Sequence, residues 1–177
     1  MKKITSLLFA TILIPTFAMA GALGGYFSHI DTEDGGESDG FGGKLVLNYS
    51  ESASLDIRAA LFDDFENIDD LELIPVEIGL TFFLGKLDQF RPYLGLGAGY
   101  YLLDSELAEI DDEIGWYGTF GLQLPVADTL SLFVEGQYRQ IEGTYEGSDF
   151  DLDNFNNDRA DLDLEGLSLN AGILFVW

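Results

Sequence analysis

Asn170-Ala171-Gly172-Ile173-Leu174-Phe175-Val176-Trp177 closes the chain on an alternating segment that decides how the rest is read. Extended backbone sends successive side chains to opposite sides. Leu167, Leu169, Ala171, Ile173, Phe175 and Trp177 therefore share one continuously apolar side. Gly166, Ser168, Asn170, Gly172, Leu174 and Val176 share the other, which turns small and polar toward Gly166. An aromatic ring beside a strand end suits a water–lipid boundary, where one edge meets headgroups and the other hydrocarbon.

The opposite end reads as a targeting segment. Met1-Lys2-Lys3 is cationic, the run from Ile4 to Phe17 is apolar, and Ala18-Met19-Ala20 supplies a small-x-small cleavage pattern before Gly21. Residues 1–20 are expected to be a cleavable signal peptide, because the run is too short to span comfortably and no stop-transfer flank follows. Residues 21–177 are expected to form one domain. With no cysteine in the chain, disulfides, cysteine-ligated metals and a lipidated cysteine are excluded, so an exported fold has to hold without covalent staples.

Period-two patterning predicts strands near Ala22–Ser28, Phe41–Tyr49, Ala53–Phe62, Leu73–Leu84, Pro92–Leu103, Ile114–Leu124, Leu130–Ile141 and Leu164–Trp177. In the fifth, Tyr93, Gly95, Gly97, Gly99 and Tyr101 oppose Leu94, Leu96, Ala98, Tyr100 and Leu102, and inward glycines leave room in a narrow lumen. Pro75 removes a ladder donor and predicts a bulge. The connections alternate between short turns and long acidic loops. Asp31, Glu33, Asp34, Glu37 and Asp39 mark the first long loop, Asp63 to Glu72 the second, Asp104 to Glu113 the third and Glu142 to Asp163 the fourth. Antiparallel strands then place every long loop at one end and every short turn at the other.

A lipocalin-like soluble barrel also alternates, with its apolar side chains inward. The strand charges discriminate. Lys44, Asp56, Arg58, Glu77, Glu135 and Arg139 all fall opposite the large apolar set. Three acids against three bases suit a paired, neutral lumen surrounded by lipid. The expected fold is all-β: an eight-stranded antiparallel up-and-down transmembrane barrel in a bacterial outer membrane.

On these residues the chain resembles the OmpA/OmpX-type family of small eight-stranded outer-membrane barrels. Asn170, Gly172, Phe175 and Trp177 match the family's polar-x-Gly-x-x-aromatic-x-aromatic assembly signal, with Trp177 replacing the more usual Phe. Pro92-Tyr93-Leu94-Gly95-Leu96-Gly97-Ala98-Gly99 is similar to the glycine-rich strand common in the group. The resemblance implies recognition by the barrel assembly machinery, contact with outer-membrane lipid and lipopolysaccharide, and no attached peptidoglycan-binding domain.

Candidate chemistry is sparse. His29, the only histidine, lies between Ser28 and nearby Asp31, but neighbours on an extended strand point to alternate sides and cannot converge as a hydrolytic triad. Asp149, Asp151 and Asp153 resemble the opening of a calcium loop. Asn154 and Ala160 stand where an EF-hand needs Gly and Glu, so these acids are weak metal candidates and a solvated surface is favoured. The net charge of −24, or −26 without Lys2 and Lys3, repels nucleic acid. Tyr145, Phe150 and Phe155 add apolar contact among the acids of the fourth loop without defining a site. The reading is a monomeric, non-enzymatic barrel without cofactor, in a structural or surface-interaction role. A narrow pore or hydrophobic-solute conduit, and a barrel enzyme acting on lipid or peptide, are the alternatives.

Overall fold

A computed structural model describes residues 20–33, 35–47, 50, 52–63, 65–66, 71–105, 113–145, 160–163 and 165–177. The strands are β1 (Gly21–Thr32), β2 (Gly36–Leu47), β3 (Ala53–Phe62), β4 (Leu71–Phe83), β5 (Arg91–Ser105), β6 (Glu113–Ala127), β7 (Leu130–Gln140), β8 (Glu142–Tyr145), β9 (Ala160–Asp163) and β10 (Gly166–Val176). β1 to β7 and β10 form a closed antiparallel barrel, and β8 pairs with β9 in a separate two-stranded sheet. Closure leaves no open edge, so strand N–H and C=O groups find partners inside the wall.

Following paired residues around the wall leads from Gly21 through Leu47, Leu55, Leu80, Leu96, Gly118, Tyr138 and Leu167 to Asp31, a stagger of ten residues on β1. A barrel of eight strands encloses a space that side chains alone can fill. Here inward tyrosines lie flat against inward glycines. A Cβ at Gly79 would come within 2.2 Å of the Tyr117 hydroxyl, and one at Gly42 within 2.2 Å of the Tyr26 ring. Glycine therefore makes space for the ring of a neighbouring strand.

The outer wall is apolar through most of its height, with Phe41 73 % and Leu96 63 % exposed. That surface would be costly in water and is suited to lipid. The pattern then reverses toward the loop end. Outward on β1, Leu23 and Phe27 give way to His29 and Asp31, while inward Tyr26 and Ser28 give way to Ile30. On β2, outward Phe41 gives way to Asp39 and Glu37. On β4, outward Ile74 gives way to Glu72, and inward Glu77 to Leu73 and Leu71. Below this level the barrel is built for hydrocarbon, and above it for water.

Several expectations need correction. The first connection is not a long loop. β1 and β2 continue through Asp31, Glu37 and Asp39 to a tight turn, with Gly36 at φ 74° and its carbonyl accepting from the Thr32 hydroxyl at 3.1 Å. Those acids alternate outward while Ile30 and Ser38 point in, so the ladder is kept above the lipid. Pro75 produces no bulge. It pairs with Tyr101 in an unbroken β4–β5 register, and between Ala59↔Val76 and Phe62↔Leu73 the β3–β4 pairing lapses without shifting. Its missing N–H removes a rung and adds no residue. The register shift falls at Pro125/Ala127 beside the β6–β7 turn. Strands form within the fourth connection, as β8 and β9.

Candidate functional site

The six strand charges meet inside the barrel, each with a side chain no more than 4 % exposed. β7 presents Glu135 toward β2 and β3. Its Oε1 accepts from Arg58 Nη1 at 2.5 Å and Asn170 Nδ2 at 3.2 Å, and its Oε2 from Tyr93 Oη at 2.6 Å and Lys44 Nζ at 3.3 Å. Four donors saturate one carboxylate. β4 presents Glu77, which accepts from Arg139 Nε at 2.8 Å, Gln137 Nε2 at 2.8 and 3.0 Å, and Tyr101 Oη at 3.1 Å. Asp56 accepts from Thr81 Oγ1 at 2.8 Å, Ser54 Oγ at 3.3 Å and Arg58 Nη2 at 3.3 Å, with Lys44 Nζ at 3.1 Å.

Such saturation is what makes buried charge tolerable, since each ion loses its hydration shell and needs both an opposite charge and filled hydrogen-bond positions. Aromatic faces complete the shell: Lys44 Nζ lies 5.1 Å from the Phe133 ring centre, and the Arg58 guanidinium 5.2 Å from that of Tyr117. The network includes inward-facing residues beyond the six charges expected to form it. Gln137 Oε1 accepts from Arg58 Nη1 and Asn170 Nδ2, Ser28 Oγ donates to Asn170 Oδ1 at 2.5 Å, and Arg139 Nη1 bonds Ser168 Oγ. Their inward phase beside charged positions was the available signal.

The charged layer is closed at both ends. Toward the loops stand Ile30, Phe62, Leu71, Leu73, Leu103 and Ile141, with Phe65 among them, all buried; toward the turns stand Ala22, Val46, Phe133 and Leu174. A cavity of about 10 Å³ beside Lys44, Asp56 and Gln123 has room for about one water molecule. The chemical capacity of this lumen, among the described residues, is to hold charge, and the cavity beside Lys44 is too small for a solute larger than water.

Of the four assembly-signal positions, Asn170 and Gly172 face inward, while Phe175 and Trp177 face outward and are exposed. Trp177 and Gly21 exchange both backbone hydrogen bonds, at 3.0 and 3.2 Å, where the first and last barrel strands meet. Ser28 and His29 lie on opposite sides of the wall. His29 Nδ1 is 2.8 Å from Asp39 Oδ1, and this hydrogen bond chiefly holds the imidazole pKa above its ordinary value, with Asp39, Glu37 and Asp31 adding charge attraction. Asp149, Asp151 and Asp153 lie outside the described residues. Among the described residues no group of three or more His, Asp or Glu is arranged to hold a metal ion.

A closed wall, apolar outside and ionic inside, defines the class: a small transmembrane β-barrel. The model of the outer membrane protein beta-barrel domain matches residues 7–173, and the chain belongs to that family, whose place is the bacterial outer membrane. Solved structures share the fold. OprG of Pseudomonas aeruginosa is 16 % identical with a TM-score of 0.69, covering 90 % of this chain and 96 % of its own. Neisserial surface protein A is 13 % identical with a TM-score of 0.67, covering 88 % and 96 %. Outer membrane protein W of E. coli is 13 % identical with a TM-score of 0.55, covering 90 % and 99 %. No curated protein matches the chain in sequence.

Proposed function

We propose that the protein is a non-enzymatic outer-membrane barrel, a structural and surface-interaction scaffold that carries acidic connections on the cell exterior. One observation carries this reading: the lumen is filled by charges paired across it between two apolar layers, so the barrel acts as a pillar and its exposed acidic chemistry lies at the loop end. A narrow pore or hydrophobic-solute conduit would need a continuous path, which Glu135, Arg58 and Glu77 block by bonding across it. A barrel enzyme would need a convergent rim site, and Ser28 and His29 point to opposite sides of the wall.

Residues 1–20 act as a removable export signal, and Asn170, Gly172, Phe175 and Trp177 address the barrel assembly machinery. The apolar band contacts lipid and the acyl region of lipopolysaccharide, the chain works as a monomer, and its charge keeps nucleic acid away. Planar-bilayer recording of the refolded protein is the test. The expected trace shows no large, stable conductance; steady channel openings that change on Glu135→Gln or Arg139→Gln would overturn the reading in favour of a pore.

A further inference from the structure

We propose that the tip of the β4–β5 hairpin is a lipid-bound foot. Leu84, Leu87 and Phe90 lie in the phospholipid leaflet on the periplasmic side, at a level where a short turn ordinarily stands in water. The inference rests on the lipid contact of the apolar band proposed above and extends it to a connection. Residues 84–90 are all described and all exposed. Leu84 is 57 %, Leu87 66 % and Phe90 43 % exposed. Large apolar side chains gathered at one turn are costly in water, and such a patch marks a partner or a membrane.

A bulge in the connection aims them at lipid. Phe83 pairs with Tyr93, and the Leu84 N–H donates to the Pro92 carbonyl at 2.9 Å. The next bridge joins Leu87 to Phe90, which exchange both backbone hydrogen bonds, at 2.8 and 2.9 Å, around Asp88 and Gln89. Gly85 and Lys86 therefore oppose Arg91 alone, two residues against one. Gly85 at φ 108° supplies the backbone that the bulge needs, and Asp88 at φ 55° the tight turn. Without the extra residue, alternation would put Lys86 in the outward row of Phe82 and Leu84 and turn Leu87 away. With it, Leu87 falls beside Phe90, on the same outward side as Pro92 and Leu94. The tip thus faces sideways along the wall, where lipid is the neighbour, and not down the barrel axis toward a protein approaching from the periplasm. Its base is braced. Arg91, 8 % exposed, donates from Nη2 to the Ser50 carbonyl at 3.0 Å and lies 4.0 Å from the Phe83 ring centre, while the Phe83 N–H reaches the Ser52 carbonyl at 2.9 Å. Side chains already held in place cost little ordering on insertion. Lys44, Arg58, Arg91 and Arg139 are buried, so Lys86 is the exposed lysine or arginine among the described residues. A cation beside apolar side chains suits the phosphate level of a phospholipid leaflet.

The chain has no cysteine, so a spin label on one introduced thiol reports one position. Leu87→Cys is compared with Leu96→Cys in the apolar band and Asp128→Cys at the tip of the β6–β7 turn. Each protein is refolded in phospholipid nanodiscs, whose two faces both meet solvent, and heat-shifted gel mobility confirms the closed barrel. Collision rates with oxygen, which concentrates in lipid, and with a water-soluble nickel chelate then report the depth of each label. The oxygen-to-nickel ratio at position 87 is expected to be at least about threefold above that at 128 and to approach that at 96. A smaller difference, with 96 still lipid-like, would overturn the foot and leave Leu87 and Phe90 bare toward the periplasm, as docking of a periplasmic protein requires. A water-like label at 96 would instead overturn the lipid contact of the band itself. Should Leu87→Cys not give the heat-shifted band, Phe90→Cys carries the comparison.

Discussion

Replacing Glu135 by Gln tests the ionic lumen most directly. The carboxylate is 1 % exposed and answers two cations, Arg58 at 2.5 Å and Lys44 at 3.3 Å, besides Tyr93 and Asn170. Gln keeps the volume and one carbonyl acceptor but leaves the lumen with three cations and two anions, the surplus charge held away from water. Removing one partner of a buried pair costs about 3–5 kcal/mol. Lys44→Met in the same chain restores neutrality at two against two. The double variant should then lose less than the two single losses combined, with a coupling of about 1–3 kcal/mol. Urea unfolding in vesicles, followed by Trp116 and Trp177 fluorescence and by heat-shifted mobility, gives both quantities. A Glu135→Gln loss below about 1 kcal/mol, or strict additivity with Lys44→Met, would refute the idea that charge balance holds the interior together.

The level at which the wall pattern reverses should appear as position-dependent tolerance. Leu96→Arg, in the outward apolar band, should cost about 2–4 kcal/mol in vesicle refolding, whereas Asp39→Arg above the reversal should cost under about 1 kcal/mol; equal losses would misplace the membrane. Gly79→Val should impair refolding because its Cβ would strike the Tyr117 hydroxyl, while Gly136→Ala, with nothing within 4 Å of the added carbon, should be neutral or slightly stabilising by urea midpoint. His29, raised by its bond to Asp39, should titrate by NMR above the ordinary histidine value near 6.5 and return toward it in Asp39→Asn. Because the folded value is the higher one, protonated His29 contributes its stabilisation fully below the ordinary value and loses it as pH rises through the raised midpoint. A midpoint at or below the ordinary value would contradict the hydrogen bond.

The strands and the lipid-facing side were legible because side-chain alternation is strict wherever one face meets hydrocarbon, as in Leu94 to Leu102 against Tyr93 to Tyr101. The inward placement of Lys44, Asp56, Arg58, Glu77, Glu135 and Arg139 followed from the same phase. What escaped lies where that rule changes sign. Asp31, Glu37 and Asp39 look like loop because acids on an outward face announce water, yet Ile30 and Ser38 keep the inward phase and the ladder continues. Phe62 and Leu73 read as ordinary apolar strand residues and Leu71 as part of the second loop, and only closure of the wall reveals them as an apolar layer above the charges. The packing of Phe65 in this layer accompanies hydrogen bonds to β2, from the Ser38 hydroxyl to the Asp63 carbonyl and from the Glu66 N–H to the Glu37 carbonyl, which side-chain periodicity does not encode. Tyr117 against Gly79 joins β6 to β4 across an intervening strand, a match set by stagger.

Lys44 and Glu135, bonded at 3.3 Å, stand 91 positions apart along the polypeptide, and Arg58 and Glu77 reach Glu135 and Gln137 over comparable spans. Lys44, Asp56 and Arg58 find one another on neighbouring strands, but Glu135 and Arg139 of β7 meet the charges of β2, β3 and β4 only across the lumen. Completing the ionic interior and closing the cylinder are therefore one event.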